Sequence, residues 1–161
     1  MDGTARKVLV SSRIVWINAI SLDLKNKVLY WCDARLDRIE KIDFQGNNRK
    51  VVFLLYNPVG GGFFHQFGLA VHDDILYWTD WVRKSVIEYN TKPGRFDKEW
   101  KGITRPMGLR LYDSQKLFKG NEKAHIFNLF CYRGSLLSLC VTHRQPFHPR
   151  AKQLFKPKWR M

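Results

Sequence analysis

Two short strings combine an aromatic pair with a carboxylate: Tyr30-Trp31-Cys32-Asp33 and Tyr77-Trp78-Thr79-Asp80. Two Asp side chains brought together could do acid–base work, but here each stands in the same local string, 47 positions apart. A group that recurs with its surroundings points to architecture. An Asp can accept the backbone N–H bonds that fix a turn, and each ring can bury ~150–250 Å². Tyr30, Trp31, Asp33, Tyr77, Trp78 and Asp80 are therefore expected to be structural. The stretches that follow them, with Arg35, Asp37 and Arg38 in one and Trp81, Arg83 and Lys84 in the other, carry charges and an aromatic on loops, where ligand contacts concentrate. These six residues are the candidates for ligand contact; the plainer alternative is a solvated charged edge.

Other chemistries find no support. Cys131, Cys140, His143 and His148 contain zinc-ligand types, yet their spacing fits no common finger. Gly60-Gly61-Gly62 is not followed by the Lys-Ser/Thr of a phosphate cradle. Ser, His and Asp are present, but no nucleophile motif frames them. No catalytic residue, cofactor or metal is expected, and the chain does not read as an enzyme.

The elements that position these strings emerge from internal repetition. Each string lies in a longer unit. Ile17-Asn18-Ala19-Ile20-Ser21-Leu22-Asp23 precedes the first, and Arg38-Ile39-Glu40-Lys41-Ile42-Asp43 follows it. Gln66-Phe67-Gly68-Leu69-Ala70-Val71-His72 and Ser85-Val86-Ile87-Glu88-Tyr89-Asn90 flank the second. Residues 2–10 match the close of a preceding unit, and Pro106-Met107-Gly108-Leu109-Arg110-Leu111-Tyr112 matches the opening of a following one. The opening strands stand 49 and then 40 positions apart, the period of a four-stranded propeller blade at roughly 40–50 residues. Short alternating apolar runs broken by Gly, Asn and Asp predict β-meanders and no long helix.

With their flanks, the two strings resemble the Tyr-Trp-Thr-Asp signature of low-density-lipoprotein receptor class B repeats over about residues 2–115. Cys32 stands where that signature has Thr, and Ile17 and Gln66 stand where the family often has Pro. The resemblance implies an all-β fold: an incomplete propeller of about two and a half blades of four-stranded antiparallel sheet. It is similar to the end of a propeller in a large lipoprotein-receptor-related endocytic receptor, with Wnt co-receptors, a sorting receptor and nidogen as further relatives. It implies a ligand-binding module acting in receptor-mediated endocytosis. Its partners would be protein ligands, the remaining blades and an adjoining epidermal-growth-factor-like module.

Charge divides the chain. The net charge is +14 over 161 residues, and residues 114–161 hold ten Lys and Arg against the single acid Glu122. The reading is blades over 1–113 and an unrelated, poorly ordered basic tail over 114–161. The tail interleaves Arg144, Arg150, Lys152, Lys156, Lys158 and Arg160 with Phe147, Phe155 and Trp159. An alternative function follows from it: a small basic protein binding nucleic acid or an anionic membrane. No apolar leader follows Met1, and no apolar run reaches the ~20 residues of a spanning helix. The chain therefore reads as a piece of a longer parent at the cell surface or in endosomes. Too few blades to close a ring predict exposed sheet faces and edges, and poor solubility in isolation.

Overall fold

The structure, a computed structural model, describes residues 4–54, 64–113, 123–131 and 136–143, with backbone alone from 112 onward. Period-two alternation between turn residues produces strands throughout. The first sheet runs β1 (Ile17–Asp23), β2 (Val28–Asp33), β3 (Arg38–Asp43) and β4 (Lys50–Leu54), each antiparallel to the one before. The second repeats it with β5 (Gln66–His72), β6 (Ile75–Asp80), β7 (Ser85–Asn90) and β8 (Arg95–Lys101). A third contains β9 (Pro106–Asp113), β10 (Lys123–Cys131) and β11 (Leu136–His143). The first strands form the axis of the arrangement, β1 lying against β5 and β5 against β9. Sheets stacked face to face about their first strands are blades of an all-β propeller, and no helix occurs among the described residues.

Alternation on the second strand of each sheet decides what holds the sheets together, because successive side chains leave opposite faces. Tyr30, Cys32 and Ile39 of the first sheet share one core with Leu69, Leu76, Trp78, Ile87 and Tyr89 of the second. Tyr77 and Val86 leave the other face of the second sheet to join Leu109 of β9. In each signature the Tyr thus faces the following sheet; Trp78 faces the preceding one. Phe53 of β4 completes the first interface, its ring centroid 4.9 Å from Tyr89 and 5.6 Å from Trp78.

Gly68 marks the closest approach of two sheets. A Cβ there would stand 2.5 Å from the Met107 carbonyl oxygen and 3.0 Å from the Leu109 nitrogen, both backbone atoms of β9. Only glycine allows the two first strands this spacing.

Within the span given to the basic tail, residues 123–131 and 136–143 are strands. β10 pairs with β9, Ile126 opposite Tyr112 and Leu129 opposite Leu109, and β11 pairs with β10. The open edge of β9 supplies a row of donors and acceptors that an apolar segment can satisfy, and the basic composition masked that segment. Of residues 2–10, matched to the close of a preceding unit, the described residues 4–10 form no strand. A fourth strand needs a third to pair with. The segment instead lies along the first sheet, with Leu9 against Gly46 and Lys7 donating to the Gln45 carbonyl.

Candidate functional site

The turn after the second strand and the segment leading into the first meet at one end of each sheet, on the side of the molecule called the upper face, because Ile17 pairs with Asp33 and Gln66 with Asp80. The signature Asp fastens them. Asp33 accepts from the lead-in amides of Val15 (2.7 Å) and Trp16 (3.2 Å), and from the turn amides of Arg35 and Leu36 (both 3.0 Å). Asp80 accepts from lead-in His65 (2.9 Å) and turn residue Arg83 (2.8 Å). A matched backbone bond follows each: Ala34 N–H to the Trp16 carbonyl at 2.9 Å, and Trp81 N–H to the His65 carbonyl at 3.0 Å. Burial raises both carboxyls. At Asp33 the amide donors outweigh it and the pKa falls below the ordinary value, whereas at Asp80 burial prevails and the pKa is raised.

Thr79 explains the third position of the signature. Its hydroxyl accepts from Gly68 N–H (2.7 Å) and donates to the Met107 carbonyl (2.8 Å), joining its own sheet to the next. Cys32 takes that place in the first sheet, fully buried, its thiol pushed up to about 12 by burial. Between the first two sheets side-chain amides make the bridge. Gln66 donates to the Asp33 carbonyl and Asn18 to the Gln66 carbonyl, both at 2.9 Å. Sequence reasoning noted Gln66 only as a departure from Pro; a side chain with two amide protons is the signal that could have identified it.

The six contact candidates separate into engaged and available groups. Arg83 forms a two-pronged ion pair with Glu99 (2.7 and 2.9 Å), with its guanidinium 4.9 Å from the Phe64 ring centroid. There it lines a cavity of about 340 Å³ over β7 and β8, with Phe64, Ile87 and Phe96. Arg38 pairs with buried Glu40 (3.1 Å) and donates to the Arg13 carbonyl (2.6 Å). Trp81 is half-buried: its ring stacks on Phe67 at 4.9 Å, and its indole N–H donates to the Pro106 carbonyl at 2.8 Å. Arg35 and Lys84 are exposed and Asp37 is half-buried. Burial raises the Asp37 carboxyl while His65 and Arg35 pull it back. Asp37 and Lys84 hold the same turn position in the two sheets, both in the left-handed region at φ 46° and 52°.

Residues that the sequence reading did not single out complete this face. Trp16 is 57% exposed, with Arg35 over its ring at 5.9 Å, and His65 lies 5.8 Å from Trp81. Running from the first sheet to the second, the upper face presents Trp16, Arg35, Asp37, His65, Trp81 and Lys84. Among the described residues no group of His, Cys, Asp and Glu could hold a metal. Cys140 pairs with Ile126, five positions from Cys131 along β10, so the backbone register separates the two tail cysteines. Gly60-Gly61-Gly62 and the basic run beyond 143 lie outside the described residues.

No family model matches the chain. It is 38% identical over 86 residues to the vitellogenin receptor Yl of Drosophila melanogaster, covering 53% of this chain and 4% of that protein. It is 38% identical over 94 residues to the sortilin-related receptor of Oryctolagus cuniculus, covering 58% and 4%. The chain thus matches about one twenty-fifth of the length of these receptors. A crystal structure of a nidogen/laminin complex superposes with a TM-score of 0.58 and 26% identity, over 66% of this chain and 39% of the matched one. Both receptors are similar to it in sequence and that structure is similar to it in geometry, so the chain carries repeats of the low-density-lipoprotein receptor class B type, and its two Tyr-Trp-x-Asp sheets are neighbouring blades of a β-propeller.

Proposed function

We propose that this chain is a ligand-binding propeller segment of a lipoprotein-receptor-related cell-surface receptor, serving receptor-mediated endocytosis rather than catalysis. Blades over 1–113 form the binding part, and the basic residues of 114–161 take no part in ligand contact. The upper face carries the reading. Trp16, Arg35, Trp81 and Lys84 present rings and cations on a rim whose backbone is fastened by Asp33 and Asp80, so the contact groups are positioned before a partner arrives. Lys84 is held in a left-handed turn, a conformation disfavoured for residues with a Cβ. Such a rim suits a protein ligand that offers carboxylates between apolar side chains. Vitellogenin and laminin, named by the relatives, are the first candidates to test.

Binding of the full chain to immobilised vitellogenin and to laminin tests the proposal. A saturable signal is expected for at least one, and Arg35→Ala with Lys84→Ala should weaken it at least about tenfold by removing rim charges. Failure of both ligands to bind, or affinity indifferent to both substitutions, overturns the assignment of this face.

A further inference from the structure

Residues 4–54 hold ten Lys and Arg against five Asp and Glu, whereas residues 64–101 hold six of each. The first sheet therefore carries the excess of positive charge over the second. At its end away from the upper face, Val28 pairs with both Asp23 and Asp43, which sets the β1–β2 and β3–β4 turns side by side. Five lysines gather there. Lys25 and Lys27 belong to the first turn, and the Lys27 carbonyl accepts from Phe44 N–H of the second (3.0 Å). Lys7 donates to the Gln45 carbonyl of that second turn. Lys41 and Lys50 stand directly opposite one another in the β3–β4 ladder, an arrangement of like charges that destabilises a strand pair. Lys41 is half-buried, 5.9 Å from the Tyr30 ring centroid, and Lys50 is exposed. The carboxylates at this end are engaged elsewhere. Asp23 holds the Asn26 backbone and side-chain amides (2.9 and 2.7 Å). Asp43 holds the Gln45 and Asn47 backbone amides and the Asn48 side chain (3.1, 2.7 and 2.9 Å). Asp73 pairs with Lys25 (3.2 Å) and Asp74 with Lys92 (2.7 Å). Among the described residues no ion pair forms at Lys7, Lys27, Lys41 or Lys50.

We propose that this end of the first sheet binds an extended sulfated polysaccharide, one sulfate bridging Lys41 and Lys50 and others reaching Lys27 and Lys7. A sulfate between Lys41 and Lys50 turns an opposed pair of like charges into two attractive contacts, and a lysine ammonium suits it as a point charge with rotatable donors. Several sulfates on one chain engage together, so contacts that are weak singly add up to useful affinity. The shape of the patch selects among polyanions. The cations form a strip confined to the first sheet, because the matching end of the second carries Asp73 and Asp74 beside Lys92. A strip fits a chain, whereas the plane of an anionic membrane would meet those carboxylates as well. Single-stranded nucleic acid stacks its bases on free rings. Trp16, the exposed ring of the first sheet's lead-in, lies at the opposite end, and Phe96 of β8 packs edge-on against Phe53 and Tyr89. The site is separate from the upper face, so it stands or falls independently of the protein ligand proposed there.

The test is calorimetric titration of the full chain with a heparin oligosaccharide at several salt concentrations. Saturable binding is expected, and a desulfated oligosaccharide of the same length should not compete. Lys41→Gln with Lys50→Gln should weaken binding at least about tenfold and lower the dependence of log affinity on log salt by about two counterions. Lys152→Gln with Lys156→Gln makes the same change of net charge in the basic run and should cost less than about threefold, since charge away from the strip acts only through the screened long-range field. The Lys41 and Lys50 variant loses an opposed like-charge pair, so without ligand it should melt no lower than the parent; loss of binding is thereby kept apart from loss of fold. Absence of binding overturns the proposal, as does equal binding of the desulfated chain. Equal losses in the two double variants also overturn it, by making net charge the cause. A variant that melts well below the parent does the same, because the two lysines would then not repel. Tighter binding of a single-stranded oligonucleotide or of phosphatidylserine vesicles, lost with the same two substitutions, reassigns the strip to that class and overturns the polysaccharide.

Discussion

At the scale of single residues, the signature is a division of labour among four neighbours. Tyr and Trp leave opposite faces of one strand, so each sheet has an aromatic for the neighbour on either side; Thr reaches across to the next backbone; Asp ties the lead-in to the turn. The Thr79 hydroxyl is the most exposed to test, because Val keeps its shape while removing a bridge between two buried backbone groups. Thr79→Val is expected to destabilise the chain by about 1–3 kcal/mol, since Gly68 N–H and the Met107 carbonyl lose their shared partner. Urea denaturation measures it, and a loss below about 0.5 kcal/mol would show that the bridge contributes nothing. Of these roles, the apolar faces and the turn-fastening carboxylates were legible in the sequence from recurrence alone. The Thr bridge was not, because its acceptor lies 28 residues away and Cys32 replaces it in the other repeat.

At the scale of elements, the outermost strand of each sheet is the least secure, having a neighbour on one side only. Lys50 to Leu54 carries Phe53 inward, whereas Arg95 to Lys101 is largely exposed. The second sheet compensates with charge: Glu99 on β8 takes Arg83 from the turn before β7, and the Ser85 hydroxyl at 3.0 Å. The Arg83 guanidinium, set against partial burial, and then the Ser85 bond bring the Glu99 carboxyl down to about 2 from an ordinary 4.5. A carboxylate held below its unfolded value adds stability that is complete above the unfolded pKa and lost as pH falls through the folded one. Glu99→Gln is therefore expected to lower stability near neutrality by roughly 1–2 kcal/mol, a figure reduced for solvent screening of a partly exposed pair. The gap to the parent should close as pH falls from 4.5 toward about 2. Denaturant midpoints across that range measure it, and a gap independent of pH would remove the ion pair as the cause. The same pair engages Arg83, a contact candidate by its position after the signature: a charge seen in sequence carries no information on whether an acid sits opposite.

At the scale of the whole molecule, the sheets are held by faces that interlock rather than by a central core. Ile39 and Ile87 come from different sheets and belong to one buried cluster. Truncation of either to Ala should destabilise by about 2–5 kcal/mol, and the double variant by less than the sum, with about 0.5–3 kcal/mol of coupling through the shared core. A double-mutant cycle in urea measures this, and strict additivity would mean that the two side chains are not coupled through a shared core. The exposure of Ile20 and Leu22 on β1 follows from the same principle, since a sheet of this pattern is apolar on both sides.

What the amino-acid sequence determined by itself was the period, the strand pattern and the radial architecture, because these follow from local alternation and turn chemistry repeated at a fixed interval. Tertiary structure alone decided which charges remain available for a partner. Arg83 and Arg38 are consumed by Glu99 and Glu40, while Arg35 and Lys84 are left on the rim, and Trp16 joins them from outside both signature strings. It also decided that part of the basic segment extends the third sheet, since an unpaired strand edge recruits backbone partners whatever net charge their side chains carry. Pairing between residues distant in the chain depends on which faces meet, and that meeting is a property of the assembled sheets rather than of any local string.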